Sequence, residues 1–202
     1  RGVCGGSRTH LMRGNDPKTA PDELIRKMKE ADGTYGTYYG MVAEGLPRRY
    51  DATSSTTAVP GLCRLNHNTG IGDPTPAVTY CLNLAEVEVD IATGKTRVLR
   101  FTCVDDVGKV GNIQAVNGQA YGGISHSIGF ALSENYHDVK KNTNIANSGV
   151  PYIKDIPDDI NIIHYERPDE AGPFGSSGAS EAFQASGHMA VLNGIKNAVG
   201  VR

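Results

Sequence analysis

Two stretches of this sequence set reactive or ligand-holding residue types among glycines. Near the start, Gly5-Gly6-Ser7-Arg8-Thr9 combines permissive backbone with hydroxyls and a guanidinium, and His10-Leu11-Met12-Arg13 behind it can open a helix. A helix entered this way aims free backbone N–H groups at whatever lies ahead of it, which suits a phosphate. Near the end, Gly172-Pro173-Phe174-Gly175-Ser176-Ser177-Gly178-Ala179-Ser180 delivers a carboxylate, Glu181, to the expected start of a helix. Such a carboxylate favours the helix dipole in any protein, and within reach of a reacting group it is also a general base. Asp105-Asp106 reads as the polar end of a strand in preference to a Mg²⁺ site. His126, His164 and His188 show neither HxxxH spacing nor cysteine partners, so no side-chain-ligated metal is expected. Cys4, Cys63, Cys81 and Cys103 are too far apart for a CxxC pair and are read as reduced.

The elements that must hold these residues follow from periodicity. Residues 21–31 carry early acidic and later basic residues around Leu24, Ile25 and Met28, which predicts an amphipathic helix ended by Gly33. Residues 34–73 lack a clear period and read as short strands and loops. Residues 78–90 alternate as a strand through Tyr80, Leu82, Leu84, Val87 and Val89, with a slip in phase near Ala85-Glu86 that predicts a bulge. A turn at 92–95 returns a second strand over 96–104, which makes a hairpin. Over 112–136, Ile113, Val116, Ala120, Gly123, Ile124, Ser127, Ile128, Ala131 and Leu132 fall on helical spacing. A short strand is expected at 161–165, and a final helix runs from Glu181 through Met189, Leu192, Ile195 and Val199.

Composition bounds the function. The chain has 202 residues, 39% hydrophobic and 21% charged, with 25 Gly and 10 Pro, as expected of a globular protein. A formal charge of -2, from 20 basic and 22 acidic residues, offers no general attraction for nucleic acid or anionic membrane. The longest uncharged stretch, 110–133, is too rich in Asn, Gln, Ser, His and Gly to cross a membrane. The first residues include neither an initiator Met nor an apolar signal core, so the chain is expected to be a fragment or a processed product.

Taken in order, these segments resemble the large molybdenum-binding subunit of the molybdenum hydroxylases, in particular the bacterial aldehyde oxidoreductases of the xanthine oxidase family. The resemblance rests on Gly5-Gly6-Ser7-Arg8, Leu84-Ala85-Glu86-Val87-Glu88-Val89-Asp90 with Ala92-Thr93-Gly94, and Asp106-Val107-Gly108 through Asn112. It continues through Gly118-Gln119-Ala120-Tyr121-Gly122-Gly123, Ile128-Gly129-Phe130-Ala131-Leu132-Ser133-Glu134 and Pro173-Phe174-Gly175-Ser176-Ser177-Gly178-Ala179-Ser180-Glu181. Two departures stand out: Ser180 precedes the glutamate where relatives often have Gly, and Val116 stands where an aldehyde-oxidoreductase relative can have a hydroxyl residue.

The resemblance implies an α+β fold of antiparallel strands with packed helices, residues 1–202 forming a C-terminal molybdopterin-binding domain of a longer chain. The segment 34–77 matches most weakly and can form a separate lobe. It implies a molybdopterin cytosine dinucleotide cofactor carrying Mo, with 2Fe-2S clusters and, in some members, FAD on other domains or subunits. Gly5, Gly6, Ser7, Arg8 and Thr9 would hold cofactor phosphates or nucleotide. Asn112 and Ala115 would form a second contact, and Gly178 and Ala179 would let backbone approach the metal. Glu181 would be the catalytic base, taking the proton of a Mo–OH as it attacks an aldehyde or N-heterocycle carbon while hydride passes to Mo=S, with water as oxygen source. Expected partners are the remaining molybdenum and iron–sulfur domains or subunits in a cytoplasmic homo-oligomer, without nucleic acid or membrane; the isolated chain would be inactive. The alternative is a non-catalytic scaffold or partner-binding domain that retains the fold.

Overall fold

The computed structural model describes residues 9–29, 33–47, 49, 51, 65–73 and 78–200. Its centre is the hairpin of β1 (Tyr80–Val89) and β2 (Thr96–Asp106), paired antiparallel. The register shifts opposite Glu86 and Val87, but the extra residue is Leu99 of β2: β1 itself alternates without a break, and the phase slip read near Ala85-Glu86 arises because Leu82 and Leu84 lie on its exposed face. Asp90 Oδ1 accepts from the Ala92 and Thr93 amides at 2.9 and 3.2 Å, and Gly94, at φ +72°, turns the chain back.

Alternation, reset in β2 by the extra residue Leu99, sends Cys81, Ala85 and Val87 of β1 and Val98, Phe101 and Cys103 of β2 to one face, where the helices lie. The long helix α3 (Ile113–Leu132) lays Ala120, Ile124 and Ile128 on that face, on the spacing read from the sequence. Phe101, Ile124, Ile128, Phe183 and Val191 are almost fully buried. Each such side chain stabilises the fold by about 1.5–3 kcal/mol relative to exposure. Cys81 and Cys103 carry free thiols; Cys4 and Cys63 lie outside the described residues.

The third strand, β3 (Asp159–His164), joins β2 in parallel, giving the order β1-β2-β3. The α+β expectation holds, but the sheet is mixed where an antiparallel one was expected. The reason lies in α3: its 20 residues carry the chain back along the sheet, so the next strand runs in the same direction as β2.

Other elements differ from the expectation in ways that have local causes. A single helix, α1 (Thr9–Met28), replaces the two expected stretches and runs through Pro17 and Pro21. These prolines are four residues apart, so their missing N–H groups fall on one side of the helix. It ends at Met28, before Gly33, because Gly36 N–H donates to the Met28 carbonyl at 2.8 Å and Lys29 bridges to Tyr35. Within the segment read as strands and loops, α2 (Tyr38–Ala43) is helical. Its cap Thr37 accepts from Gly40 N–H at 3.1 Å, and Met41 is buried. The final helix is broken in two, α4 (Ser180–Ala185) and α5 (Gly187–Val199). At the break Gly187 lies so close to Ser127 that a Cβ would sit 2.5 Å from its Oγ. Among the described residues no helix is long and apolar enough to cross a membrane.

Candidate functional site

Two loops distant in sequence are joined side by side. One follows β2 through residues 107–112; the other, residues 172–179, leads into α4. Lys109 N–H donates to the Gly175 carbonyl at 2.7 Å, Ser177 N–H to the Val107 carbonyl at 2.8 Å, and Ser176 Oγ to the Lys109 carbonyl at 2.5 Å. Gly108 makes the contact feasible: it has φ +71°, and a Cβ there would collide with the Gly175 carbonyl. Asp106 Oδ1 braces the turn by accepting from Gly108 and Arg167 N–H at 3.1 and 3.3 Å, the strand-end role expected of it. Beside the second loop, Gly14 of α1 packs on Pro173, where a Cβ would come within 2.5 Å of Cγ, so α1 begins at the same place.

These loops and the start of α3 enclose a cleft of about 780 Å³, within the usual range for small-molecule sites. Of the residues singled out from sequence, it brings together Asn112, Ala115, Ala179 and Glu181, with Val116 and Ser180 beside them. Gly178 lies next to this wall. Gly5, Gly6, Ser7 and Arg8 lie outside the described residues; Thr9 is the first residue of α1, and His10 after it lines the cleft. Asn112 caps α3, its Oδ1 accepting from Ala115 N–H at 3.0 Å. Lys109, Gln119 and Ser176 also line the cleft; the last two stand in motifs that carry the resemblance, but none of the three was assigned a site role from sequence. Gln119 sits seven residues after Asn112, two helical turns along the same face, a spacing that could have revealed it.

Glu181 stands exposed in the first turn of α4. The helix is anchored from below by Phe183, which is fully buried against α3 at Gly123, where a Cβ would meet Phe183 Cβ at 2.5 Å. Ser127 Oγ donates to the Gln184 carbonyl at 3.0 Å. On its other side Glu181 borders a second recess of about 380 Å³ with Phe130, Gln184, Ala185 and His188. The Phe130 and His188 rings meet edge to face at 5.1 Å.

A buried polar chain ties the sheet to α3. His164 Nδ1 lies 2.9 and 3.0 Å from the two Asp105 carboxylate oxygens, and its Nε2 lies 2.8 Å from Asn117 Oδ1. Asp105 is 2% exposed, and burial lifts its carboxyl above the ordinary carboxylate range while His164 pulls it back. His164 is therefore a structural bridge. Among the described residues no group of three or more His, Cys, Asp or Glu could hold a metal ion.

The donor set fits a phosphate-bearing cofactor. A lysine, the amides of Asn112 and Gln119, the Ser180 hydroxyl and the entry to a 20-residue helix converge on one cleft with, among the described residues, a single carboxylate on its wall. The family model described as "Molybdopterin cofactor-binding domain" matches residues 1–157, and the chain belongs to that family. Glu181 lies beyond the matched residues. Over 201 residues the chain is 40% identical to the aldehyde oxidoreductase of Megalodesulfovibrio gigas, covering 100% of this chain and 22% of that protein. The structure of Desulfovibrio gigas aldehyde oxidoreductase superposes with a TM-score of 0.93 at 38% identity, and that of the Desulfovibrio desulfuricans enzyme with 0.92 at 42%. Both cover 100% of this chain and 22% of theirs. A probable hypoxanthine oxidase of Escherichia coli K12 is 32% identical over 132 residues, covering 63% of this chain and 14% of its own length. The chain thus spans about a fifth or less of the relatives it matches.

Proposed function

We propose that this chain supplies one wall of the cofactor site of a molybdenum hydroxylase that oxidises an aldehyde or N-heterocycle with water as oxygen source, and that Glu181 is its base. One observation carries the reading: the cleft holds cofactor-type donors and, among the described residues, a single carboxylate on adjoining walls, built by two loops that are distant in sequence. The bound cofactor, proposed to be molybdopterin cytosine dinucleotide, supplies a molybdenum centre that takes up two electrons. Lys109, Asn112 and Gln119 offer a cation and hydrogen-bond donors to its anionic and polar groups, while Ser176, whose hydroxyl donates to the Lys109 carbonyl, holds the Lys109 backbone in place. Ala179, without a bulky side chain, lets backbone approach closely. The Glu181 carboxylate accepts the proton released as water-derived oxygen is transferred to substrate carbon and gives it up to solvent afterwards. The proposed partners are the remaining molybdenum and iron–sulfur domains or subunits, with FAD where one is carried.

The test is Glu181→Gln in the full-length protein that contains this chain. About one molybdenum per chain is expected in both proteins, with kcat lowered roughly 10²–10⁴-fold in the variant, the usual contribution of a general base. A variant with near-normal kcat refutes the base assignment. Full-length native protein without molybdenum refutes the cofactor reading and leaves the scaffold alternative.

A further inference from the structure

The helix that carries Glu181 has six residues, too few to hold itself in place. No side chain of its own caps it: Ala179 stands at its N-cap and makes no side-chain cap bond. Its two ends are instead met by side chains from one strand and the residue just before it. Ahead of the helix, Thr79 Oγ1 donates to the Gly178 carbonyl at 2.5 Å and lies 3.2 Å from Ser177 Oγ. Behind it, Asn83 Nδ2 donates to Ser186 Oγ at 2.8 Å, at the break between α4 and α5. Thr79 and Asn83 are four residues apart, so in extended chain they present to the same side of the sheet about 13 Å from each other. A helical segment of seven steps, from residue 179 to 186, spans about 10 Å, so the two bonds can grip it at both ends.

We propose that Thr79 and Asn83 are positioning residues that clamp α4 and fix where the Glu181 carboxylate sits in the cleft. This deepens the reading of Glu181 as a base and rests on it. The Thr79 bond sets the plane of the Gly178–Ala179 peptide: in a trans peptide the Ala179 N–H points opposite to the Gly178 carbonyl, away from Thr79. The Asn83 bond holds the far end, and it does so at a cost. Asn83 Oδ1 is buried without a hydrogen-bond partner, an arrangement that a side chain serving packing alone would not keep. A leucine of similar size would fill the space without leaving that oxygen unsatisfied, so the amide is accounted for by the bond it donates to Ser186.

The test uses the full-length protein and compares Thr79→Val, which keeps the shape and loses the donor, with Thr79→Ser, which keeps the donor. Two measurements are made on each: amide hydrogen exchange over residues 179–186, and kcat with molybdenum content. The clamp predicts that Thr79→Val speeds exchange in that segment by about two- to tenfold, the effect of one lost hydrogen bond, while amides of the β1–β2 hairpin are unchanged. It also predicts a fall in kcat at unchanged molybdenum content, with Thr79→Ser restoring both. Asn83→Leu should speed exchange at the 184–186 end and lower kcat in the same way. If Thr79→Val leaves exchange in 179–186 at the wild-type rate, or if Thr79→Ser is as impaired as Thr79→Val, the clamp is wrong. If wild-type protein holds no molybdenum or Glu181→Gln retains its kcat, the base reading fails, and the exchange data still decide whether the two side chains hold the helix.

Discussion

Gly108→Ala should separate backbone strain from the joining of the two loops, because Gly94 provides an internal control. The two glycines have nearly the same conformation, φ +71° and φ +72°. Gly94 has nothing within 4 Å of the position a Cβ would take. At Gly108 the added carbon would collide with the Gly175 carbonyl and lie 3.0 Å from Ser177 N. Alanine at Gly94 therefore costs only the left-handed conformation, about 1–2 kcal/mol. At Gly108 the same cost is joined by the loss of the bonds from Lys109 N–H to Gly175 and from Ser177 N–H to Val107. At about 0.5–1.5 kcal/mol each, those bonds add about 1–3 kcal/mol. The assay is hydrogen exchange of the Lys109 and Ser177 amides in the full-length protein. Exchange at these amides should be roughly five- to hundredfold faster in Gly108→Ala than in Gly94→Ala, since about 1.4 kcal/mol is a factor of ten. Molybdenum per chain should fall in the first variant only. Equal behaviour of the two variants would show that the loops are not held together by this contact.

The buried Asp105 carboxyl has a raised pKa, caused chiefly by desolvation, so its contribution to stability is fully present below the unfolded pKa and is lost as pH rises through the folded one. Wild type should therefore lose stability relative to Asp105→Asn as pH is raised across the carboxylate range, measured by denaturant unfolding; a wild type that gains stability relative to the variant with rising pH would contradict this. The Cys81 thiol is held below its ordinary pKa by its hydrogen bond with Cys103, whereas Cys103 is pushed up by the same bond and by burial. Peptide mapping after brief treatment with iodoacetamide should find Cys81 modified first and Cys103 only on unfolding.

The hairpin and α3 were legible because each is encoded by local spacing, with Ala120, Ile124 and Ile128 marking the buried face of α3; the bulge was misplaced, because Leu82 and Leu84 are apolar residues on the exposed face of β1 and the extra residue is Leu99 of β2. Glu181 at the head of a helix was legible for the same reason. The break after Ala185 was not, since it depends on Ser127 and Asn83 meeting the chain from other elements. Lys109 was not read as a site residue, and Ser176 was read only as part of the Gly/Ser loop, because backbone bonds between residues 107–109 and 175–177 bring them to the cleft, and backbone bonds leave no mark on side-chain pattern. His164 was set aside as a metal ligand, but its partners Asp105 and Asn117 lie 59 and 47 residues away, beyond any spacing rule. The direction of β3 could have been inferred, because a strand, a long helix and a strand in succession favour parallel pairing.

That parallel pairing also divides the sheet into a working end and a free end. The chain leaves β2 and β3 at the same edge, so both cleft-building loops start there. The Asp90–Lys95 turn lies at the opposite edge, the length of an 11-residue strand away, about 35 Å. A fluorophore, epitope or short inserted peptide at Ala92-Thr93 would thus report on this part of the protein without touching the pocket, giving protein engineering a handle that the local architecture itself insulates from the chemistry.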